Sequence, residues 1–481
     1  MTPARELHNA AAGEGLRRRL HRRFGIRGVA SLLAMLYLLI FSALALGFFT
    51  AVTTSSQLAH NDERALGAQV AAESGLQFLK YELGRVRFPS NTPSDKILQE
   101  LFNDLQEQVL NSPNMGGRSI AMAGNTIYFP GGGDDYYVPL NDSGAGFRAT
   151  LTDMGEAQYK GRTVRAVKVK VYGRHRGSVI LRAIEMDFVG DFQTINIFDF
   201  GVATRGPVSV TGSGGVFGPG GLDGSILTTS MVPTPVTVGA TVAGDLYLVN
   251  KNGNVNLSNS ASVGGTTGPD KFTHVRKGVD EPQFPVVDSA PFLPFATNLY
   301  KPGLSVYNNT LVPAGTNPNF SGDVTINGIM YVKYPNQLKF VSHVTVNGLI
   351  IVENGAKPSS SNSISFGGGI DAFGMDALPD TAEFPPSMKK LKGSVLLAPG
   401  FSVSMRGSAG TIGGTMLAES FDLGGGSGGI VKGNMIGVGA GGFTLGGQAK
   451  VQRTRADELP AGMIVDFTFQ PRLNTYTEVR P

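Results

Sequence analysis

The sequence predicts a mixed fold: a long N-terminal transmembrane α-helix, a small α+β head and a large right-handed parallel β-helix. Three features of the 481 residues support this prediction. Residues 29–52 carry no charge and are mostly apolar, residues 118–199 contain short runs typical of β-strands, and residues 200–452 repeat a strand-and-turn pattern about every 20 residues. The predicted segments are a basic leader (1–28), a transmembrane and amphipathic helix (29–90), the head (91–199), the β-helix (200–452) with inserted loops at 269–303 and 372–388, and a C-terminal strand or cap (453–481).

The uncharged segment is long enough to cross a bilayer, because about 20 apolar helical residues span the hydrocarbon core. Six arginines lie in residues 17–27, and no Lys or Arg occurs in residues 28–63. The positive-inside rule therefore predicts a single-pass inner-membrane protein with a cytoplasmic N-terminus and its bulk in the periplasm or outside the cell. A cleavable secretory signal is the alternative, with a loose A-x-A match at residues 43–45, but its apolar region would be only about 7–15 residues long.

An apolar stripe continues beyond the membrane segment. Its members recur every seven residues, as on one face of a helix: Leu58, Ala65, Ala72, Leu79 and Val86. Glycines at 67, 75 and 84 weaken the helix by roughly 1 kcal/mol each relative to Ala. We expect the helix to run to about Arg87, where Pro89 stops it.

Residues 17–90 resemble the N-terminal region of PilX-type minor pilins and of the K-type pseudopilins of type II secretion. The resemblance rests on RGVASLL at residues 27–33, the long apolar helix, and AAESGL at residues 71–76. In that family a prepilin peptidase cuts after the glycine that precedes the apolar helix, which implies processing between Gly28 and Val29. It also implies partners, namely other pilins or pseudopilins, the peptidase and membrane lipid. The filament-core side chains would include Leu33, Leu36, Leu39, Phe41 and Leu44.

One position departs from the pattern of major pilins. Most pilins carry Glu as the fifth mature residue, whereas this chain carries Leu33 at that position. In this respect it is similar to the K-type pseudopilins, which also lack the Glu and sit at the tip of the fibre. A carboxylate in lipid needs a partner, so a subunit without it avoids that cost but cannot form the pairing. The alternative interpretation of this region is an ordinary signal-anchored surface protein.

The composition excludes several classes of function. The chain has no Cys, which excludes disulfides, thiolate metal sites and a Cys nucleophile. The formal net charge of +4 comes from the leader, since residues 1–28 hold seven Arg and two Glu. The remainder is near neutral, and no basic patch interleaved with aromatics is evident, so nucleic acid is not expected as a partner. Of the 66 glycines, 44 fall within residues 201–452, which indicates a domain boundary near residue 200.

The head is predicted to combine a helix with a sheet. Helical spacing extends over residues 91–117 through Ile97, Leu98, Leu101, Leu105, Val109 and Leu110. Strands are expected at 149–152, 164–171 and 179–186, and the Lys-Val alternation of the second is typical of a strand with one wet face.

The glycine-rich region contains an internal repeat. VTINGI at 324–329 recurs as VTVNGL at 344–349, with weaker copies at 304–309 and 364–369. A second series begins with Phe at 401, 421 and 443, and further coils are expected at 208–210 and 244–248. Each unit is an apolar-polar-apolar triplet followed by a glycine turn that needs positive φ. A fixed period of this length predicts a solenoid, because stacked coils bury what one coil cannot.

Two Pro-rich stretches and the tail complete the β-helix. The loops at 269–303 and 372–388 are interpreted as segments strapped along the coil stack, either functional or a structural lid over its edge. The strand at residues 463–469 is predicted to close an end of the β-helix against edge pairing.

Sites for chemistry are sparse. GVGAGG at 437–442 fits G-x-G-x-x-G but has no following helix, so we interpret it as turn glycine. The stretches at 218–224 and 131–135 resemble calcium-binding loops weakly, and a solvated hairpin tip is the preferred interpretation of the latter. The six His residues have no metal spacing, so neither a metal nor a cofactor is expected.

Enzymes built on β-helices use carboxylates clustered on one outer face. The candidates Asp245, Asp323, Asp371 and Asp422 do not share one repeat phase, so no enzyme activity is expected. The sequence predicts a minor pilin-like structural subunit that displays the β-helix at a tip or surface for assembly or adhesion. The alternatives are a membrane-anchored solenoid that binds extracellular polysaccharide, or a polysaccharide lyase or hydrolase.

Overall fold

The computed structural model describes residues 15–481 except for residues 91, 94, 111, 116, 141–143, 160, 161, 176–178, 192–196, 219–223, 408, 425–427 and 454–458. Side chains are described from residue 29 onward, apart from residues 162, 163, 191 and 409. A long helix and an antiparallel sheet form the head, and 25 strands in parallel pairings form a β-solenoid. The predicted succession of a long apolar helix and a β-solenoid is therefore confirmed.

The head occupies the first part of the described chain. Its elements are α1 (Gly15–Arg85), β1 (Phe88–Pro89), α2 (Ile97–Leu110), β2 (Ala121–Ala123), β3 (Thr126–Phe129), β4 (Val138–Pro139), β5 (Gly146–Tyr159), β6 (Arg162–Arg174) and β7 (Leu181–Asp191). Strands β5, β6 and β7 pair antiparallel in chain order, as expected of hairpins. The C-terminal part of α1 and the apolar face of α2 pack on one side of this sheet around Leu79, Leu83 and Phe147. Leu110, predicted in the α2 stripe, is exposed.

The glycines of α1 have a packing role. A Cβ on Gly75 would lie 2.4 Å from the Phe147 ring, and one on Gly67 would lie 2.5 Å from Nδ1 of His175. From the sheet side, a Cβ on Gly173 would lie 1.9 Å from the carbonyl oxygen of Ala68. The helix approaches the sheet this closely only because side chains are missing there, so the helical cost of glycine is offset by close packing.

The solenoid strands fall into two groups separated by a long segment. The N-terminal coils contain β8 (Val202–Thr204), β9 (Val208–Val210), β10 (Gly215–Phe217), β11 (Ile226–Thr228), β12 (Val236–Val238), β13 (Thr241–Val242), β14 (Leu246–Leu248), β15 (Val255–Leu257), β16 (Ser262–Val263) and β17 (Val275–Lys277). The separating segment contains β18 (Val286–Val287).

The C-terminal coils follow. They contain β19 (Asn298–Leu299), β20 (Val306–Val312), β21 (Asn319–Phe320), β22 (Val324–Val332), β23 (Gln337–Phe340), β24 (Val344–Val352), β25 (Ser363–Phe366), β26 (Ile370–Ala372), the short helix α3 (Pro386–Lys389), β27 (Ser394–Met405), β28 (Ala409–Gly413), β29 (Thr415–Leu423), β30 (Ile430–Lys432), β31 (Met435–Gly437), β32 (Phe443–Leu445) and β33 (Lys450–Gln452). The chain ends with β34 (Met463–Ile464), β35 (Asp466–Pro471) and β36 (Thr477–Val479).

The order of the coils in the stack differs from their order in the chain. The first coil, β8 to β10, lies between the second coil and the last one, because β8 pairs with both β11 and β31. Strand β9 likewise pairs with β12 and β32, and β10 with β13 and β33. The chain thus enters the solenoid at mid-stack, builds outward to β17, crosses to the far end at β19 and returns to its starting point. We call the contact of β8–β10 with β31–β33 the seam.

Side-chain ladders run through the C-terminal coils. Strands β22 and β24 pair residue for residue at the predicted spacing of 20. The Asn347 amide donates to Asn327 at 3.0 Å, and the Asn327 amide donates to Asn308 at 2.9 Å. Inside the coils the rings of Phe320, Phe340 and Phe366 stack with centroids 4.5 and 5.0 Å apart. Identical side chains stack in register from coil to coil, so side-chain contacts join neighbouring coils in addition to the backbone hydrogen bonds.

Several predicted repeat positions are wrong in register. Residues 364–366 were expected to stack on 344–346, but they stack on 338–340, and Ile370 stacks on Val344 instead. The cause is the connection 353–362, which is longer than its counterpart 333–336. Tyr307 pairs with Ile326, one residue off the expected copy, and Phe421 pairs with Val403 rather than Phe401.

The Asn-Gly pairs also differ from expectation. They were predicted to end their strands in turns, yet Asn327-Gly328 and Asn347-Gly348 lie inside β22 and β24. Gly328 and Gly348 do have positive φ, 76° and 142°. The corner between two faces is therefore made within a continuous strand.

One outer face of the solenoid is apolar and covered. Ala203, Leu227, Tyr331, Ile351, Leu397, Leu417 and Ile436 point outward from its strands into a second core. The Pro-rich segments cover this face with Phe284, Phe292, Met375, Phe384 and Met388. Ser289 fixes the first segment, since its hydroxyl lies 2.9 Å from the Tyr331 hydroxyl and its amide donates to Asn354 at 2.6 Å. Two parts of the predicted first loop, β17 and β19, are coil strands.

The predicted role of the tail as an end cap of the solenoid is wrong. Strand β35 pairs antiparallel with β7 in the head, and β36 pairs with the same strand. The physical reason is that Phe469 is fully buried in the head core, 5.3 Å from the Phe88 ring centroid. Residues of the solenoid itself lie near its two ends. Beside β19 the Tyr300 ring stacks on Tyr307, and beside β17 the buried Lys271 donates to the Ser258 carbonyl at 2.6 Å.

Candidate membrane and filament interface

The first half of α1 projects from the head. From residue 29 to residue 64 no side chain is buried, and the first contacts with the sheet are made near Gly67. Within the described chain, one helix is long and apolar enough to cross a membrane, the part of α1 from Val29 onward. An uncharged helix without cover inside its own chain is compatible with a single-pass membrane anchor.

The predicted filament-core residues share this exposure. All of them face away from the rest of the chain, with exposed fractions between 47% and 69%: Leu33, Leu36, Leu39, Phe41 and Leu44. At 100° per residue these five positions cover an arc of roughly 200°, wider than a single stripe, and the other apolar residues of the segment cover the rest of the helix surface. A helix that is apolar on all sides fits lipid or a bundle of other helices and does not fit water.

Two threonine hydroxyls at the end of the apolar segment are satisfied locally. Thr50 Oγ1 donates to the Leu46 carbonyl and Thr53 Oγ1 to the Phe49 carbonyl, both at 2.8 Å. Such bonds to the preceding turn remove the need for water. Thr50 and Thr53 are therefore compatible with an apolar surrounding.

The predicted processing position lies inside the helix. Gly28 and Val29 both belong to α1, and the Val29 side chain is exposed. Between the apolar segment and the head, residues 53–64 form a polar stretch of helix, roughly 18 Å long at 1.5 Å per residue. We call residues 53–64 the stalk; it carries the exposed pair His60 and Glu63, 3.6 Å apart.

The carboxylates considered for catalysis are distributed over several places. Asp245 accepts from His274 at 2.7 Å and from Arg276 at 3.0 Å, and Asp422 pairs with Arg406. The structure brings two of them together around one histidine. The amide of His343 donates to Asp323 at 3.1 Å, and its Nε2 lies 3.2 Å from Asp371.

The glycine-rich motifs do not form ligand sites in the described residues. Gly437 ends β31, and Gly442, with φ of 92°, precedes β32 without a helix between them. Asp134 of the 131–135 stretch pairs with Arg148. No group of three or more His, Asp or Glu side chains that could hold a metal occurs in the described part of the chain. Most of the stretch 218–224 lies outside the described residues.

Comparison with known proteins gives little further information. No family model matches this chain, and no curated protein matches it. Among solved structures, the chain is similar to the crystal structure of the competence-associated pilin ComZ from Thermus thermophilus. The identity is 12%, the TM-score is 0.28, and the match covers 86% of this chain and 97% of that chain. A likeness of this size carries no inference about function.

Proposed function

We propose that this protein is a minor pilin-like structural subunit of a type IV pilus or a type II secretion pseudopilus. The observation that carries the proposal is the exposed, uncharged segment of α1, continuous with a part of the same helix that packs on an antiparallel sheet. The resemblance of residues 17–90 to PilX-type and K-type subunits supports the same role. The segment would sit in the inner membrane before assembly and among the helices of other pilins afterwards.

The solenoid would be displayed by the head for assembly or adhesion. The solenoid is inserted in the chain between β7 and β35, which are neighbours in the head sheet. The chain therefore returns to the head after the solenoid and completes the head sheet. Both connections reach the solenoid at its seam, where Asn434 and Arg453 donate to the Phe198 carbonyl at 2.8 and 2.7 Å. We propose no catalytic role, because the four candidate carboxylates lie in three places: Asp245 beside His274, Asp422 beside Arg406, and Asp323 with Asp371 at His343.

Processing and incorporation into filaments test this proposal together. In the native host, the wild-type chain should lose residues 1–28 and occur in sheared surface filaments or in the assembled pseudopilus. Gly28→Arg should keep its full mass and stay in the membrane fraction. The control is Gly322→Ala in the solenoid, where an added Cβ meets nothing within 4 Å, and it should behave as wild type. A full-length wild-type chain that never leaves the membrane would contradict the proposal and favour an anchored solenoid that binds polysaccharide.

A further inference from the structure

Two arginines and two tyrosines lie on the sheet face opposite α1, namely Arg148, Arg174, Tyr137 and Tyr172, and Arg118 stacks on Tyr136, the residue before Tyr137. Arg148 of β5 stands next to Tyr172 of β6, and Arg174 stands next to Gly146, in the antiparallel register of the two strands. Because Gly146 has no side chain, Tyr137 packs over it, with its Cβ 3.2 Å from the position of a Cβ on Gly146. We call Arg118, Tyr136, Tyr137, Arg148, Tyr172 and Arg174 the arginine–tyrosine cluster.

The guanidinium groups of the cluster are held in place by aromatic rings. Arg174 lies 4.0 Å from the Tyr137 ring centroid, Arg148 lies 4.3 Å from that of Tyr172, and Arg118 lies 5.1 Å from that of Tyr136. Stacking of this kind fixes the plane of the guanidinium and leaves its edge to meet an anion. The cluster is therefore organised before any ligand arrives.

The positive charge of the cluster is only partly balanced. Asp134, whose side chain is 87% exposed, pairs with Arg148. Among the residues that the structure describes, neither Arg174 nor Arg118 forms an ion pair. The Nε atoms of Arg148 and Arg174 are buried and have no hydrogen-bond partner. Buried donors without acceptors are unfavourable, and here they leave the positive charge of both guanidinium groups incompletely compensated.

The chain carries a complementary surface on the opposite side of the head. The side of α1 that faces away from the sheet carries exposed carboxylates and apolar groups together with a lysine: Asp62, Glu63, Leu66, Val70, Glu73, Lys80 and Tyr81. Glu478 adds a further carboxylate beside it, because Gln69 donates to Glu478 at 2.9 Å and to Glu73 at 3.5 Å. We call this surface the acidic helix face.

The two surfaces lie at the same level along the helix. His175, the residue after Arg174, packs against Gly67 of α1, between Glu63 and Glu73. The sheet separates the acidic helix face from the cluster within one molecule, so they cannot meet in a single chain. Subunits that stand side by side would bring them together.

We propose that the arginine–tyrosine cluster binds the carboxylates on the helix of a neighbouring pilin-like subunit, of the kind that this chain presents on its own acidic helix face. This inference rests on the proposed function, since only a filament places such subunits side by side. Carboxylate is the favoured anion, because Asp134 shows that a carboxylate fits Arg148, and forked guanidinium–carboxylate pairs are strong.

Peptide binding to the full chain tests the inference. The probe is a labelled peptide of residues 58–81, titrated against the protein in lipid nanodiscs. Arg174→Gln should weaken binding about tenfold, as expected for a lost charge-assisted contact. A peptide with Asp62→Asn, Glu63→Gln and Glu73→Gln should lose affinity similarly. The control Arg182→Gln removes an exposed arginine of the adjacent strand, outside the cluster, and should leave the affinity unchanged.

Three results would overturn the inference. The first is equal binding of the charged and neutral peptides, and the second is equal binding by wild type and Arg174→Gln. The third is displacement of the labelled peptide by inorganic phosphate or a single-stranded oligonucleotide at a lower concentration than the unlabelled peptide requires. The third would assign the cluster to phosphate. Arg174→Lys keeps the charge without the fork and should bind with intermediate affinity, which separates recognition from a folding defect. If the native host processes the chain at Val29 but the peptide does not bind, the inference about the cluster fails and the filament role stands. If the peptide binds but the native host leaves the chain unprocessed, the filament role fails and the affinity of the cluster for carboxylates stands.

Discussion

The head and the solenoid bury their strands in opposite ways. In the head, β5, β6 and β7 are neighbours both in the chain and in the sheet, and a helix covers one face. In the solenoid every strand pairs with one from a different coil, and the first coil rests on the last. Both regions nevertheless close through contacts distant in sequence, β7 with β35 and the seam. The comparison teaches that local sequence patterns specify the individual strands and helices. The pairings that complete each region join strands far apart in the chain, so local patterns do not reveal them.

The largest effect is expected where the head relies on a missing side chain. Gly173→Leu would place a Cβ 1.9 Å from the Ala68 carbonyl oxygen and 2.4 Å from the Ala72 amide. Because backbone cannot yield as a side chain can, we expect a loss of at least about 4 kcal/mol or undocking of α1. Urea unfolding in detergent would measure it. Gly84→Ala, where nothing lies within 4 Å, should instead stabilise by about 1 kcal/mol.

A similar loss in the solenoid should stay local. Phe340→Ala removes the middle ring of the stacked ladder, and we expect it to cost about 3–5 kcal/mol. Hydrogen exchange should rise in β21, β23 and β25 and remain unchanged in the head. The exposed neighbour Val341 provides the control, since Val341→Ala should alter stability by less than about 0.5 kcal/mol. Faster exchange throughout the head would show that the two regions unfold as one unit.

The seam provides a smaller and more selective test. A Cβ on Gly214 would lie 1.9 Å from the Ala449 carbonyl oxygen, so Gly214→Ala should cost about 1–3 kcal/mol. Hydrogen exchange should increase in β9 and in β32, which face each other across the seam, but not in β24, which does not pair with a seam strand. Gly322→Ala, with open space around it, is the matched control. Equal protection of β9 in both variants would mean that the seam adds nothing to the N-terminal coils.

The smallest effect concerns a titrating group close to the seam. Burial raises the pKa of Glu419 above 4.5, and Arg205 opposes this only in part. A carboxyl whose pKa is raised on folding favours the folded state at low pH, and this contribution is lost as pH rises above 4.5. Glu419→Gln should therefore gain stability relative to wild type as pH increases, measured by urea midpoints across that range. A constant difference between the two proteins would contradict this assignment.

Much of the fold was predictable from periodicity. The spacing of 20 between β22 and β24 gave the coils. The seven-residue stripe gave the buried side of α1 at Ala72, Leu79 and Val86, but its first member Leu58 is exposed, because the helix does not reach the sheet before about residue 67. The register of residues 364–366 was not, because the long connection 353–362 displaces them from the spacing of 20, whereas Phe421 and Phe443 do pair as their spacing predicts. The covered outer face had a signal that was overlooked. IMYV at 329–332 and LIIV at 349–352 are apolar on both sides of the strand, as in sheets buried on both faces.

One of the two candidate sites was predictable from the sequence and the other was not. The exposed apolar segment was predictable because it is a property of consecutive residues, 29–52. The arginine–tyrosine cluster was not, since Arg118, Arg148 and Arg174 come from different parts of the chain and meet only when the sheet forms. The partial signals were Tyr136-Tyr137 and the succession Lys170, Tyr172, Arg174 on one side of a strand. Gly173 within that strand also indicated a close backbone approach.

The mature N-terminus, determined by mass spectrometry of protein extracted from native membranes, tests the central claim most directly. We expect a chain that begins at Val29, because the exposed apolar helix would then carry the free end that a filament core receives. A chain that begins at Met1 would contradict the pilin-like role and leave an anchored solenoid. A start near residue 46 would remove the membrane segment and contradict both.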